Sequence, residues 1–191
     1  MKMGVGQRFF IRCVVFLLAL FVVFGPRTPI QASGKQVIIA EKKIAVTLPL
    51  GWYESDPKRD HGEASFNTKD NRSSIFFRSF DGGNGTMQDL MDLTIANFDV
   101  DERFYLKNVD EYKTGQVGGI LDGAEKKWPA IFSQAEGVVR KDGLDYEMRF
   151  YLLVFDVGER VYFVQASTTL PVMVGRENEI MEMIRSIVAK P

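Results

Sequence analysis

The stretch from Leu144 to Phe155 limits most strongly what this chain can fold into. Successive side chains of a strand point to opposite sides, so Tyr146, Met148, Phe150, Leu152 and Val154 share one face. The other face begins polar, at Asp145, Glu147 and Arg149, and turns apolar at Tyr151, Leu153 and Phe155. Val161-Tyr162-Phe163-Val164 has the same two-sided apolar character. Such strands need a cover on both sides of their sheet.

The neighbouring segments fit that requirement. Ala130 to Arg140 and Arg160 to Thr168 flank the central strand, separated from it by Lys141-Asp142-Gly143 and Asp156-Val157-Gly158. Short glycine-containing connections of this kind make antiparallel hairpins. Ile180, Met183, Ile184, Ile187 and Val188 fall at helical spacing and predict a closing helix over one side. Glu177, Glu179 and Glu182 near its start and Arg185 and Lys190 near its end suit the helix dipole.

A second helix is predicted after the break Asp81-Gly82-Gly83-Asn84-Gly85. Thr86 with Asp89 three residues on is a variant of the capping box, and Met87, Leu90, Met91, Ile95 and Phe98 form the apolar stripe. Upstream, Gln36 to Ala40 and Lys43 to Leu48 read as strands, with Pro49-Leu50-Gly51 ending the second. Asp56 to His61 reads as a charged loop. Glu63 to Asn67 and Ser74 to Phe80 read as a hairpin joined through Lys69 to Arg72. Between Val100 and Gly123 the pattern is weak, with one strand expected near Glu111 to Val117. The fold class is α+β, an antiparallel β-sheet covered by helices.

The first 32 residues have a different character. Lys2, Arg8 and Arg12 precede the uninterrupted apolar run Cys13 to Phe24, and Gly25, Pro26 and Pro29 break it before Ile30-Gln31-Ala32. A basic start, a short apolar run and a small-residue cleavage site are the parts of a secretory signal. Residues 1–32 are therefore expected to be a signal peptide and 33–191 a single domain, exported to the periplasm or outside the cell. Ile30 takes the upstream recognition position of a cut after Ala32, and Ser33 is the alternative cut. A permanent anchor competes with this reading, although a spanning helix needs roughly 20 apolar residues. Without a paired arginine the general secretory route fits, and Cys13 lies at the wrong end of the run for lipid attachment.

Cleavage changes the composition. Loss of Lys2, Arg8, Arg12 and Arg27 takes the 24 basic residues to 20 against 25 acidic ones, a net charge near −5. That balance argues against nucleic acid, whose affinity rests on phosphate neutralisation, and against an anionic membrane surface. The single cysteine leaves with the leader, so thiol chemistry, cysteine metal sites and disulfides are excluded from the mature protein. Its stability must rest on a core, for which its length and the 10 phenylalanines left of the chain's 15 suffice. No repeat, low-complexity tract or internal linker divides it.

The order of elements, with Ile44 to Trp52 (IAVTLPLGW) opening the domain and Ile184-Arg185-Ser186-Ile187 near its close, resembles the PsbP-like superfamily. That superfamily includes the DcrB-like exported proteins of bacteria. The resemblance spans Gln36 to Lys190 and implies a single α/β/α sandwich with a non-enzymatic role. Members include an extrinsic photosystem subunit and a nuclear import factor that binds a small GTPase. It transfers no catalytic residue, because Pro49, Gly51 and Trp52 read as structural.

The search for chemistry assigns no catalytic, cofactor-binding or metal-ligating residue. His61 is the sole histidine and sits among polar residues, which excludes a multi-histidine metal site. No G-x-S-x-G turn presents a serine to it. Asp99 with Asp101 and Asp110 with Glu111 are adjacent carboxylates on polar segments, where solvation explains them as well as acid–base work does. Asp81 to Asp92 lacks the ligand rhythm of a calcium loop, and no lysine–serine/threonine pair follows Gly115, Gly118 and Gly119 as a phosphate loop needs. Asn71-Arg72-Ser73 and Asn84-Gly85-Thr86 are sequons that matter only in eukaryotic secretion. Met87, Met91, Met181 and Met183 read as helix packing, with Met181 toward solvent. Trp52 is expected to plug the sheet edge, and Trp128 to sit half-exposed at a strand entrance.

The function expected is a non-catalytic binding or accessory protein of the cell envelope, using a surface or groove beside the sheet. Its partner would be a protein or small ligand there, with no cofactor, no nucleic acid and no stable membrane insertion once the leader is cleaved. The alternative is a cofactor-free envelope hydrolase using carboxylates that converge in a pocket.

Overall fold

The three strands read from Ala130 onward are the centre of an eight-stranded antiparallel sheet. The computed structural model describes residues 34–39, 44–55, 64–82, 85–100, 104–121 and 124–189. The proposed leader, His61 and Asp101 lie outside them. The described residues fall in one compact unit, 33–191.

In chain order its elements are β1 (Lys35–Ile39), β2 (Ile44–Leu48), β3 (Trp52–Ser55), β4 (Ala64–Thr68), β5 (Ser73–Asp81), α1 (Met87–Val100), β6 (Phe104–Val109), β7 (Lys113–Leu121), β8 (Ala124–Lys141), β9 (Leu144–Asp156), β10 (Arg160–Thr169), α2 (Arg176–Arg185) and β11 (Val188–Ala189). The large sheet has the order β3-β4-β5-β10-β9-β8-β6, with β7 paired to β8 as well. A second sheet has the order β1-β2-β11.

Register follows from turn chemistry. Lys141 pairs with Leu144 across a two-residue turn in which Asp142 (φ 53°) and Gly143 (φ 76°) are both left-handed. That is the type I′ geometry whose twist matches the flanking strands, and Asp-Gly adopts it readily. The register then sets Val154 between Ile131 and Phe163 as an apolar row, and Leu152 between Ser133 and Gln165 on the same face. Phe155, Leu153 and Tyr151 form the opposite face.

Both faces are covered, as the two-sided strands require. Against one lie α2, through Ile180, Met183 and Ile184, and the small sheet, through Ile44, Val46 and Leu48. Against the other lies α1, through Met91 and Phe98. The α+β class and the helix–sheet–helix layering stand, with a second sheet sharing one outer layer. The capping box at α1 is closed: Thr86 Oγ accepts from the Asp89 N–H at 3.1 Å, and Asp89 accepts from the Thr86 N–H at 2.7 Å.

Three details differ from the sequence reading. The closing helix stops at Arg185, and Val188 pairs with β2 as a strand, which suits β-branched Ile187 and Val188. Ser186 fixes the exit by donating to the Met183 carbonyl and accepting the Thr47 N–H, both at 2.8 Å. The weak region between Val100 and Gly123 holds two strands rather than one, because β6 buries little and so lacks a clear alternation. Finally, β8 starts at Ala124, ahead of Pro129. Residues 124–129 pair with β7 and extend past the end of β9, an edge position that tolerates proline. Gly118 in this hairpin is required: at φ 144° a Cβ would sit 2.1 Å from the Lys126 carbonyl oxygen.

Candidate binding groove

The two faces of the sheet are closed to different extents. α1 packs chiefly on β6, β9 and β8, and β5 and β10 receive less of it. The result is a groove of about 360 Å³ between the helix and the sheet, within the range of roughly 300–1,000 Å³ for small-molecule sites. Its floor comes from Phe76, Arg78 and Phe80 of β5 with Phe163 and Gln165 of β10. Arg78 lies opposite Phe163 and Phe76 opposite Gln165 in the strand register. One wall is the helix, through Leu90, Leu93, Thr94, Asn97 and Phe98, and Phe104 of β6 completes the lining. Phe98 meets the Phe104 ring edge-on at 6.2 Å.

Each polar side chain here has a stated use or lacks one. Thr94 donates to the Leu90 carbonyl at 2.7 Å, an ordinary helical back-bond. The Arg78 guanidinium stacks over Phe80 at 5.1 Å from the ring centroid. Leu93 is 58% exposed on the lip. Phe163 is buried on the floor, while Phe76 and Phe80 are half-buried. A second hollow of about 520 Å³ shares Phe80, Leu90 and Leu93 and runs toward Asp81, Thr86, Asp89 and Arg160. Hydrogen bonds from the Thr86 N–H and hydroxyl hold the Asp89 carboxyl below its usual value.

A polar cluster elsewhere closes the margin of the other face. Trp52, 7% exposed, donates its indole N–H to Glu179 at 3.0 Å. Arg176 donates to the same carboxylate at 2.9 Å, lies 5.7 Å over the Trp52 ring and pairs with Asp70 at 3.4 Å. Asp70 is held below its usual value by the Thr68 hydroxyl first, then by the Arg72 N–H. These groups are occupied with one another, and Trp52 plugs the edge strand as its sequence position suggests.

The other sequence candidates disperse. Asp110 and Glu111 are exposed between β6 and β7. Among the described residues no three His, Cys, Asp or Glu side chains gather in a way that could hold a metal. Gly115, Gly118 and Gly119 lie within β7, not in a loop. Trp128 is half-buried against the core, with its indole N–H buried and without a hydrogen bond. Met181 packs partly into the core instead of facing solvent. No helix among the described residues is long and apolar enough to cross a membrane.

The sequence suggests a surface or groove beside the sheet and names none of these lining residues. A signal that could have located it is the stretch Ser74 to Phe80, read only as a hairpin strand, where Arg78 falls between Phe76 and Phe80 on one strand face. Leu93 was a second signal, an apolar residue off the buried stripe of α1.

This architecture, a meander-rich antiparallel sheet between helical layers, is the PsbP-like fold. Cyanobacterial PsbP (CyanoP) from Synechocystis sp. PCC 6803 superposes with a TM-score of 0.57 and 12% identity, over 87% of this chain and 98% of that one. The Saccharomyces cerevisiae Ran-binding protein Mog1p gives 0.51 at 12% identity, over 82% and 95%. LpqN, involved in cell envelope biogenesis of Mycobacterium tuberculosis, gives 0.50 at 12% identity, over 85% and 88%. No protein-family model matches the sequence, and neither does any curated protein. At such identities the likeness establishes the fold alone.

Proposed function

We propose that this chain is an exported, non-catalytic binding protein of the cell envelope, and that the groove between α1 and strands β5 and β10 is its binding site. The observation that carries the reading is the lining of that groove. Phe76, Phe80, Leu90 and Phe163 offer apolar surface beside a few polar groups, which is how small-ligand sites are built. LpqN, of the same fold, is involved in cell envelope biogenesis, and Mog1p binds a protein. Both are consistent with an accessory role. The leader composition supports export.

Protein purified from cells expressing the full chain, labelled with ¹⁵N, tests the site by titration with 1-decanol. Amide shifts concentrated in 76–80, 90–98 and 163–165 are expected. Shifts scattered over the molecule, or none, would remove the groove as a binding site. Sequencing the N-terminus of the same preparation tests cleavage of the leader: a chain beginning at Ser33 or Gly34 is expected, and one retaining Met1 in the membrane fraction would make the leader an anchor.

A further inference from the structure

Resting on that reading of the groove, we infer that its ligand is an acyl carboxylate, an unbranched apolar chain with a single anionic head held by Arg78. The lower groove is lined by one cation and, among the described residues, by no carboxylate. Acidic side chains enter only in the adjoining hollow, at Asp81 and Asp89, where Arg160 accompanies them.

The state of the guanidinium comes next. The Arg78 guanidinium lies over Phe80, and among the described residues no acidic side chain pairs with it. Stacking engages the flat face of a guanidinium and leaves its edge, with five N–H donors in a fixed fork, directed elsewhere. That fork matches the two oxygens of a carboxylate, and the contact with Phe80 restrains the side chain in advance. The arrangement is that of an exposed cation beside the phenylalanines of an apolar groove. Gln165 and Asn97 lie in the same lining and have amide groups without a side-chain partner among the described residues.

The rest of the groove sets the body of the ligand. Phe76, Phe80, Leu90, Phe98 and Phe163 offer no hydrogen bonds, so the part of a ligand that lies against them leaves any polar group it buries there without a partner, while Arg78, Asn97 and Gln165 can serve only its head. An alkyl chain has none to satisfy. The acidic balance of the mature chain gives no general attraction for anions, so selectivity for an anionic head must come from this one residue.

The test uses protein from cells expressing the full chain and compares decanoate with 1-decanol, two probes of equal chain length that differ in the charge of the head. Calorimetric titration at pH 8 and low salt should show decanoate binding about 10-fold tighter, since a charge-assisted pair contributes on that scale. In Arg78→Gln the two probes should bind within about 2-fold of each other, and in Arg78→Lys part of the preference should return. Equal affinities in the unaltered protein, or a preference that survives Arg78→Gln, would overturn the carboxylate assignment while leaving the groove as an apolar site. Tighter binding of decyltrimethylammonium would overturn it as well. Failure of every probe to bind would overturn the groove reading itself. Arg78 is exposed, so thermal melts of both variants should overlay that of the parent, and these comparisons read binding and not folding.

Discussion

The two sides of the large sheet are made from the same strands and closed in different ways. On one side α2 and the small sheet close over Phe66, Phe77, Phe155 and Tyr162, each at most 1% exposed. On the other, α1 seals Met91 and Phe150 but leaves Phe76 and Phe80 half-covered and Leu93 exposed. Strand pattern alone does not distinguish them, since β9 and β10 are apolar on both faces. What differs is the number of elements in the cover. A helix is about 10 Å wide and strands lie about 4.8 Å apart, so one helix covers two or three strands and not five. The doubly covered side is therefore built for stability, and the singly covered side has surface left for a ligand.

Truncation in the closed side should show the difference most strongly. Phe66 is fully buried and meets Phe77 edge-on at 6.2 Å. Phe66→Ala is expected to cost about 3–5 kcal/mol in urea denaturation, from lost transfer energy and the cavity left behind. Phe80→Ala on the open side should cost less than about 2 kcal/mol, because the ring is already half in water. Equal costs would mean that the two faces are equally consolidated, and the contrast would fail.

The margin of the closed side depends on Glu179, which accepts from both Trp52 and Arg176. Glu179→Ala leaves a buried indole N–H and a guanidinium that is 12% exposed without that acceptor. A loss of roughly 1–3 kcal/mol is expected for such orphaned donors. In a double-mutant cycle with Trp52→Phe, the loss from Glu179→Ala should shrink, because the indole donor is already gone. Strict additivity would show that the bond holds nothing together.

Alkaline titration sharpens the contrast in a third way. The buried Tyr151 hydroxyl on the closed side has no partner at hydrogen-bond distance, although Glu177 and Arg149 are near enough to act on it. Burial first, then the Glu177 charge, push Tyr151 up to about 12. A raised folded value means that its contribution is complete below the ordinary tyrosine value of 10.0 and is lost as pH rises toward about 12. Tyr151→Phe should therefore leave the urea midpoint at pH 8 unchanged or slightly higher and flatten its fall above pH ~10. Tyr112, also pushed to about 12 by burial and then by its bond to Asp92, gives the control. Tyr112→Phe loses that bond and should be less stable at pH 8. A parallel alkaline decline in the parent and Tyr151→Phe would show that another group governs this limit.

Much of the layering was legible in the chain, for physical reasons that also mark where legibility ended. Leu144 to Phe155 announces a sheet covered on both faces because a strand has only two faces to fill. Thr86 and Asp89 announce the start of α1 because the first N–H groups of a helix need acceptors. The separation of β1, β2 and β11 into their own sheet was not legible, since alternation says nothing about which sheet a strand joins. The end of α2 was hidden because Ile187 and Val188 continue a helical stripe while entering a strand. The groove was half legible: Arg78 between two phenylalanines is visible in one dimension, but the empty space beside it depends on where α1 crosses the sheet.

The smallest expected change in stability bears most directly on function. Leu93 is 58% exposed on α1 and lines both the groove and the hollow beside it. Truncation of such a residue removes little buried surface, so Leu93→Ala should alter the denaturation midpoint by no more than about 0.5 kcal/mol. Alanine also has the higher helix propensity, which offsets part of any loss. Binding should respond differently, because the side chain regains a partner once a ligand lies against it. Covering an exposed leucine contributes on the order of 1–2 kcal/mol, so 1-decanol affinity should fall roughly 5- to 30-fold. Asp92→Ala supplies the comparison, as Asp92 is exposed on the same helix and bonds Tyr112 away from the groove lining. Its variant should lose a little stability and no affinity. If Leu93→Ala destabilises the fold and leaves binding intact, the open side is packing surface like the closed one, and the division of labour between the two faces is wrong.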